Sequence, residues 1–225
     1  MNNKAIQTDI EILKQNVAKA AIDYIEENTI IGVGTGTTVN YFIQELAKVK
    51  HLIKGTVSSS NATTEKLKAC GIPVYDLNTV GEISVYIDSA DEALKYGQLI
   101  KGGGGALAQE KIVASCARKF VCIIDESKLV YKLGKFPVPV EVLPVARSLV
   151  GREIVKLGGN PVYREGFVTD HGNIIIDIED LNITSPLEME KEIDHITGIV
   201  ANGVFAKNLA DVLLVATDNG VEIYS

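Results

Sequence analysis

Residues 29–38 read Thr-Ile-Ile-Gly-Val-Gly-Thr-Gly-Thr-Thr. A short run of β-branched apolar residues gives way to glycine and then to hydroxyl side chains. Such a run predicts a buried strand over 30–34 that closes in a glycine turn. Val39 to Ala47 then has helical spacing. The same alternation extends in both directions. Residues 9–27 place Ile10, Leu13, Val17, Ala20 and Tyr24 on one helical face. A strand is expected over 52–57, and Ser60-Asn61 opens a helix through Ala69 that Gly71-Ile72-Pro73 stops. Further strands are expected at 74–75, 85–87 and 121–124, with a helix over 106–117 before the last. Strands alternating with helices predict an α/β fold, a mainly parallel sheet with helices on both faces.

The texture changes after Lys132. Residues 136–144, Phe-Pro-Val-Pro-Val-Glu-Val-Leu-Pro, hold three prolines in nine positions, a density that central strands do not tolerate. A helix over 145–156, strands near 162–164 and 174–178, and a helix over 187–195 follow. Strand–helix–strand–strand–helix–strand is the ferredoxin-like order, so a small α+β domain is expected at 133–206. Asp211-Val-Leu-Leu-Val-Ala-Thr217 is β-like and very apolar, which suits a sheet interior. Returning it to the first sheet gives a larger domain of 1–132 and 207–225, with the smaller one inserted.

Bulk properties exclude several classes of function. The net charge of −7 lacks any basic stripe and argues against nucleic-acid partners. No apolar run approaches the roughly 18 residues that span a bilayer, and the polar N-terminus lacks the apolar core of a secretion signal. Cys70, Cys116 and Cys122 are scattered, as expected of reduced thiols in a cytoplasmic protein. His51, His171 and His195 stand far from any cysteine pair, so no protein-built metal site and no cofactor are expected.

Ligands of open parallel sheets sit beyond the carboxyl ends of the strands, and four clusters fall there or at an adjoining helix start. Thr35, Gly36, Thr37 and Thr38 offer hydroxyls and a helix N-terminus to a phosphate, although the same hydroxyls could simply cap the helix. Asp88-Ser89-Ala90-Asp91-Glu92 places two carboxylates where they could bond sugar hydroxyls or exchange protons with them. Asp125-Glu126-Ser127-Lys128 ends in a cation. Lys101-Gly-Gly-Gly-Gly-Ala-Leu-Ala-Gln-Glu110 sets an ammonium before four glycines and a carboxylate after them. Consecutive glycine N–H groups can cradle an oxyanion. Glu110 shares a helical face with Leu107, Ala114 and Ala117, a small apolar setting for a general base. Together these are tools for moving a proton on a small phosphorylated sugar.

The residues resemble, over essentially the whole chain, the type A family of ribose-5-phosphate isomerases. The matching stretches are Gly32–Thr38, Asp88–Glu92, Lys101–Lys111, Asp125–Lys128, Leu133–Pro144 and Gly172–Asp177. The resemblance implies a Rossmann-like domain with a smaller α+β domain, and a cofactor-free homodimer or homotetramer acting in the pentose phosphate pathway. It implies interconversion of D-ribose 5-phosphate and D-ribulose 5-phosphate through a cis-enediolate, with Glu110 as proton acceptor. It further implies substrate contacts from Thr35–Thr38, Asp88, Ser89, Ala90, Asp91, Lys101, Gly102, Gly103, Gly104 and Lys128, with Lys14 as a phosphate contact. Asp88, Asp91 and Lys101 join Glu110 as catalytic candidates. The family's acidic motif usually reads DGADE, and Ser89 stands in place of its glycine. A positive φ there would strain serine by on the order of 1 kcal/mol. Competing readings are a sugar-phosphate deaminase or lactonase of related architecture, and a non-catalytic sugar-phosphate sensor.

Overall fold

The computed structural model describes residues 3–225, with side chains described from Asp9 onward. In chain order the first strands are β1 (Ile30–Val33), β2 (Gly55–Ser58), β3 (Tyr86–Asp88), β4 (Glu92–Ala93), β5 (Leu99–Ile100) and β6 (Phe120–Asp125). Then come β7 (Val138–Val142), β8 (Asn160–Tyr163), β9 (Ile174–Glu179), β10 (Ile199–Asn202), β11 (Val204–Phe205), β12 (Val212–Thr217) and β13 (Gly220–Tyr224). The helices are α1 (Asn3–Ala20), α2 (Thr37–Lys48), α3 (Asn61–Ala69), α4 (Leu107–Cys116), α5 (Arg147–Lys156) and α6 (Pro186–Asp194). None is long and apolar enough to cross a membrane among the described residues. The chain divides into two compact units, 1–89 with 113–129 and 210–225, and 90–112 with 130–209. The second unit thus takes in 90–112 as well, a segment that sequence reading kept with the larger domain.

The first unit holds a six-stranded sheet in the order β13-β12-β6-β3-β1-β2. Every neighbouring pair is parallel except the β12–β13 hairpin. The period of two along each strand sends Ile31, Val33, Ile87, Val121, Ile123 and Leu214 to one face, where they pack with Val17 of α1 and Phe42 and Leu46 of α2. The opposite phase carries Tyr86, which stacks on Phe120 with ring centroids 5.1 Å apart. Gly32 leaves room there for Tyr86 and Val113, since a Cβ would lie within 2.7 Å and 2.9 Å of them. Chain order reverses at β1, whose neighbours are β2 and β3, so the β1–β3 crevice is the switch point of this sheet. One expected strand is absent. Residues 74–75 form a single bridge, Val74 to Thr56. Pro73 before them and the turn-forming Asp76 after them leave no length for a ladder.

In the second unit, β7, α5, β8, β9, α6 and β10 build an antiparallel sheet in the order β10-β7-β9-β8, the ferredoxin-like arrangement. Val138, Val140 and Val142 pack with Val150 and Ile154 of α5 and Ile193 of α6. A separate three-stranded sheet, β11-β5-β4, completes this unit. The proline-rich segment forms β7, which is central, contrary to expectation. Pro139 explains why the strand tolerates it. Its carbonyl accepts from Gly203 N at 2.8 Å, so its missing N–H lies on that same side, past the last β10 pairing at Asn202. No bond to β9 is lost.

Candidate functional site

The candidate residues fall into two groups, one in each unit. In the first, the chain leaves β1 and must turn at once into α2. Gly36 makes that turn with φ of 125° as the residue before the helix, and no side chain caps the helix start. Glycine brings no capping oxygen to the first N–H groups of α2, which stand at the positive end of the helix dipole, a setting that favours an anion. The threonines do something other than capping α2. Thr35 Oγ1 lies 2.9 Å from both Ser59 Oγ and Ser60 Oγ, and Thr63 Oγ1 donates to Gly34 O at 2.8 Å. Lys14 Nζ reaches Thr37 Oγ1 at 3.0 Å, which brings α1's cation to the start of α2.

Asp88 ends β3 across the switch point and is fully buried. Its Oδ1 accepts Thr35 N at 2.9 Å and Ser89 N at 2.7 Å, and Tyr86 Oη donates to its Oδ2. Gly34 has no room for a side chain, because a Cβ would lie 1.9 Å from Asp88 Oδ1. Ser89 does not adopt a positive φ, a conformation confined to Asn28 and Asp180 among the described non-glycine residues, so the condition that would strain it is not met. Its hydroxyl instead donates to Thr35 O at 3.2 Å. Lys128 stands on the 3-10 turn after β6, which Asp125 begins by accepting Ser127 N at 3.1 Å.

The second group is built around the start of α4. Lys101, just after β5, is 2% exposed and Glu110, in the helix's first turn, is 4% exposed. Lys101 Nζ lies 3.5 Å from Glu110 Oε1, and 5.6 Å from the centre of the Phe205 ring. The same ring takes a second ammonium, Lys111, at 4.8 Å, and Lys111 is held by Glu190 at 2.6 Å. One buried ion pair and one half-buried pair thus share one aromatic side chain.

Between Lys101 and Glu110 the glycines form a close-packed turn. Gly102 and Gly105 have φ of 101° and 76°. Gly105 N donates to Gly102 O at 2.8 Å, and Gly103 N donates to Asp91 Oδ2 at 2.8 Å. A Cβ at Gly105 would lie 2.2 Å from Phe167 Cζ. Two of the loop N–H groups are therefore committed within the protein, and what the loop can offer an oxyanion is narrower than four donors. Among the described residues no cluster of three metal-binding side chains occurs.

Sequence reading passed over Ser59, Ser60 and Thr63. The signal was present, since Ser58-Ser59-Ser60 ends a strand and opens a helix just as Thr35–Thr38 does. Arg164, Phe167 and Phe205 left no such signal.

Fold and residues together define an α/β enzyme that moves protons on a phosphorylated sugar. Residues 55–220 match the family model of ribose 5-phosphate isomerase A, also called phosphoriboisomerase A. A ribose-5-phosphate isomerase A of Legionella pneumophila (strain Corby) is 60% identical over 209 residues, 93% of this chain and 97% of the relative. The crystal structure of ribose 5-phosphate isomerase A from Neisseria gonorrhoeae is 50% identical, with a TM-score of 0.94 over 95% of this chain and 96% of that one. The corresponding protein of Methanocaldococcus jannaschii is 41% identical, with a TM-score of 0.90 over 95% and 98% of the two chains. The chain belongs to the ribose 5-phosphate isomerase A family.

Proposed function

We propose that Glu110 is the base of a ribose 5-phosphate to ribulose 5-phosphate isomerisation and that Lys101 stabilises the charge it generates. The observation that carries this reading is the buried Lys101–Glu110 pair at 3.5 Å on either side of the glycine turn. Glu110 takes the proton from C2 of the open-chain aldose, and the C–H electrons form the C1–C2 double bond of a cis-enediolate. A proton passes from O2 to O1, and Glu110 returns its own proton to C1 to give the ketose. Lys101 and the glycine turn face the developing oxyanion, where preorganised donors contribute most.

The phosphate falls to the Thr35–Thr38 turn, with Lys14 and Lys128 as its cations, and supplies orientation remote from the reacting carbons. Ring opening and the O2–O1 exchange suit Asp91 better than Asp88. Asp88 already receives three donors and is fully buried, whereas Asp91 is half-buried beside the turn it holds. A relative 38% identical, with a TM-score of 0.91, has been solved with phospho-erythronic acid. That sugar-acid phosphate carries a planar anionic carboxylate, which matches an enediolate in charge and shape.

A ribose 5-phosphate isomerisation assay with added chelator tests the reading. Turnover is expected to survive the chelator and to be competitively inhibited by phospho-erythronic acid. An enzyme silenced by the chelator contradicts the mechanism. Gly34→Ala gives a second test, because the new methyl must push the Asp88 carboxylate aside. A displacement of that size costs turnover on the order of 10²-fold. Wild-type kinetics in that variant would remove Asp88 from the substrate's surroundings. The same reading makes the protein a cytoplasmic homodimer or homotetramer. Its free thiols Cys70, Cys116 and Cys122 suit a reducing compartment, and light scattering distinguishes the two assemblies.

A further inference from the structure

We infer that Arg164 is a positioning residue that sets the aim of the glycine turn, an inference that rests on the isomerase reading above. Its guanidinium spends three donors on two partners. Nε and Nη2 bind Asp177 Oδ2 and Oδ1 at 2.9 Å and 2.5 Å, and Nη1 donates to Gly103 O at 3.1 Å. Asp177 fixes the plane of the fork, and Phe167 supports it from the side with its ring 5.3 Å from the guanidinium carbon. That ring occupies the space a Cβ on Gly105 would need. The turn is therefore gripped at consecutive points, Gly103 N by Asp91, Gly103 O by Arg164 and Gly105 Cα by Phe167.

The chemical consequence follows from the peptide bond. No cis peptide occurs among the described residues, so the Gly103 carbonyl and the Gly104 N–H point in opposite directions across one rigid plane. Holding the carbonyl fixes the N–H. Glycine would otherwise let that plane rotate freely, and a donor that wanders loses its value to a developing oxyanion. The role is geometric rather than electrostatic, because Asp177 neutralises the guanidinium. Lysine cannot replace arginine here, since a single ammonium lacks the planar fork that reaches both partners at once.

The test compares Arg164→Lys, Arg164→Ala and Asp177→Asn with the wild-type enzyme. Arg164 and Asp177 are 21% and 20% exposed, so thermal unfolding should show all three variants folded. In Arg164→Lys and Asp177→Asn, kcat is expected to fall by about 10–100-fold, with KM changed far less because the phosphate contacts are untouched. Guanidinium ion added to Arg164→Ala should restore part of the lost kcat. The amide resonance of Gly104 should shift in Arg164→Lys, a readout that does not depend on turnover. Wild-type kcat in Arg164→Lys, or an unmoved Gly104 amide, overturns the inference. Wild-type turnover on ribose 5-phosphate, measured alongside, tests the isomerase reading separately from the clamp.

Discussion

Glu110→Gln should lower turnover of ribose 5-phosphate by about 10²–10⁴ while leaving KM near its original value, because the amide removes a proton-transfer group and little else. The side chain is isosteric and keeps an oxygen for Lys101, which sits 3.5 Å away. Substrate binding should persist, so phospho-erythronic acid should raise the melting temperature of the variant and of the wild type alike. Stability is a separate matter. Leaving a buried ammonium beside a neutral partner costs up to about 3 kcal/mol, a loss of roughly 6–12 °C in Tm at this chain length. A folded Glu110→Gln enzyme with near-wild-type turnover would falsify the assignment of Glu110 as the base.

Lys101→Met is the second large effect, and its interest lies in what a compensating change restores. Lys101 and Glu110 are both almost wholly buried. Removing the ammonium strands a carboxylate in that interior and should destabilise the protein by about 3–5 kcal/mol. It should also remove oxyanion stabilisation worth on the order of 10²–10³ in turnover. The double variant Lys101→Met with Glu110→Met replaces the pair by apolar side chains of similar length. Its stability should return to within about 1 kcal/mol of wild type or exceed it, since two well-packed apolar groups carry no desolvation cost. Its activity should stay lost. Thermal melts and kinetics on the two single variants and the double decide this. Additive destabilisation in the double would mean that the two side chains do not stabilise one another, against the coupling expected of a buried pair.

Much of the fold was legible because its elements are long enough to show a period. The helix from Asn61 to Ala69 announced its start in Ser60, whose hydroxyl accepts Thr63 N at 3.1 Å. The apolar run at Val212–Thr217 declared a sheet interior, and it pairs with β6 there. The two-residue strands β4, β5 and β11 were invisible, because an alternation needs more than one repeat to be seen. Pro139 misled for a different reason. A proline rule counts residues, whereas tolerance depends on which neighbour the missing N–H faces, and only pairing decides that.

The candidate residues divide along the same line. Thr35–Thr38, Asp88 and Lys101 to Glu110 stood out as candidates because strand ends and glycine runs mark themselves in one dimension. Arg164 could not be found that way. It meets Gly103 from 61 residues along the chain, and its own neighbours, Tyr163 and Glu165, give no hint of a partner. For Ser89 only a conditional expectation was possible, since nothing local in the sequence reveals whether its backbone takes a positive φ.

The glycine turn also bears on how this protein could be altered. Gly102 and Gly105 need left-handed backbone, and at Gly102, Gly103 and Gly105 an added methyl would collide with Leu107, Asp91 and Phe167 respectively. A library randomised over those positions would return glycine almost everywhere, whatever substrate was used to select it. Position 89 differs, because it already carries a side chain in relaxed backbone geometry, its hydroxyl donating to the Thr35 carbonyl at 3.2 Å. Attempts to broaden or shift sugar preference would find their usable diversity there, on the strand-end side, and almost none in the turn.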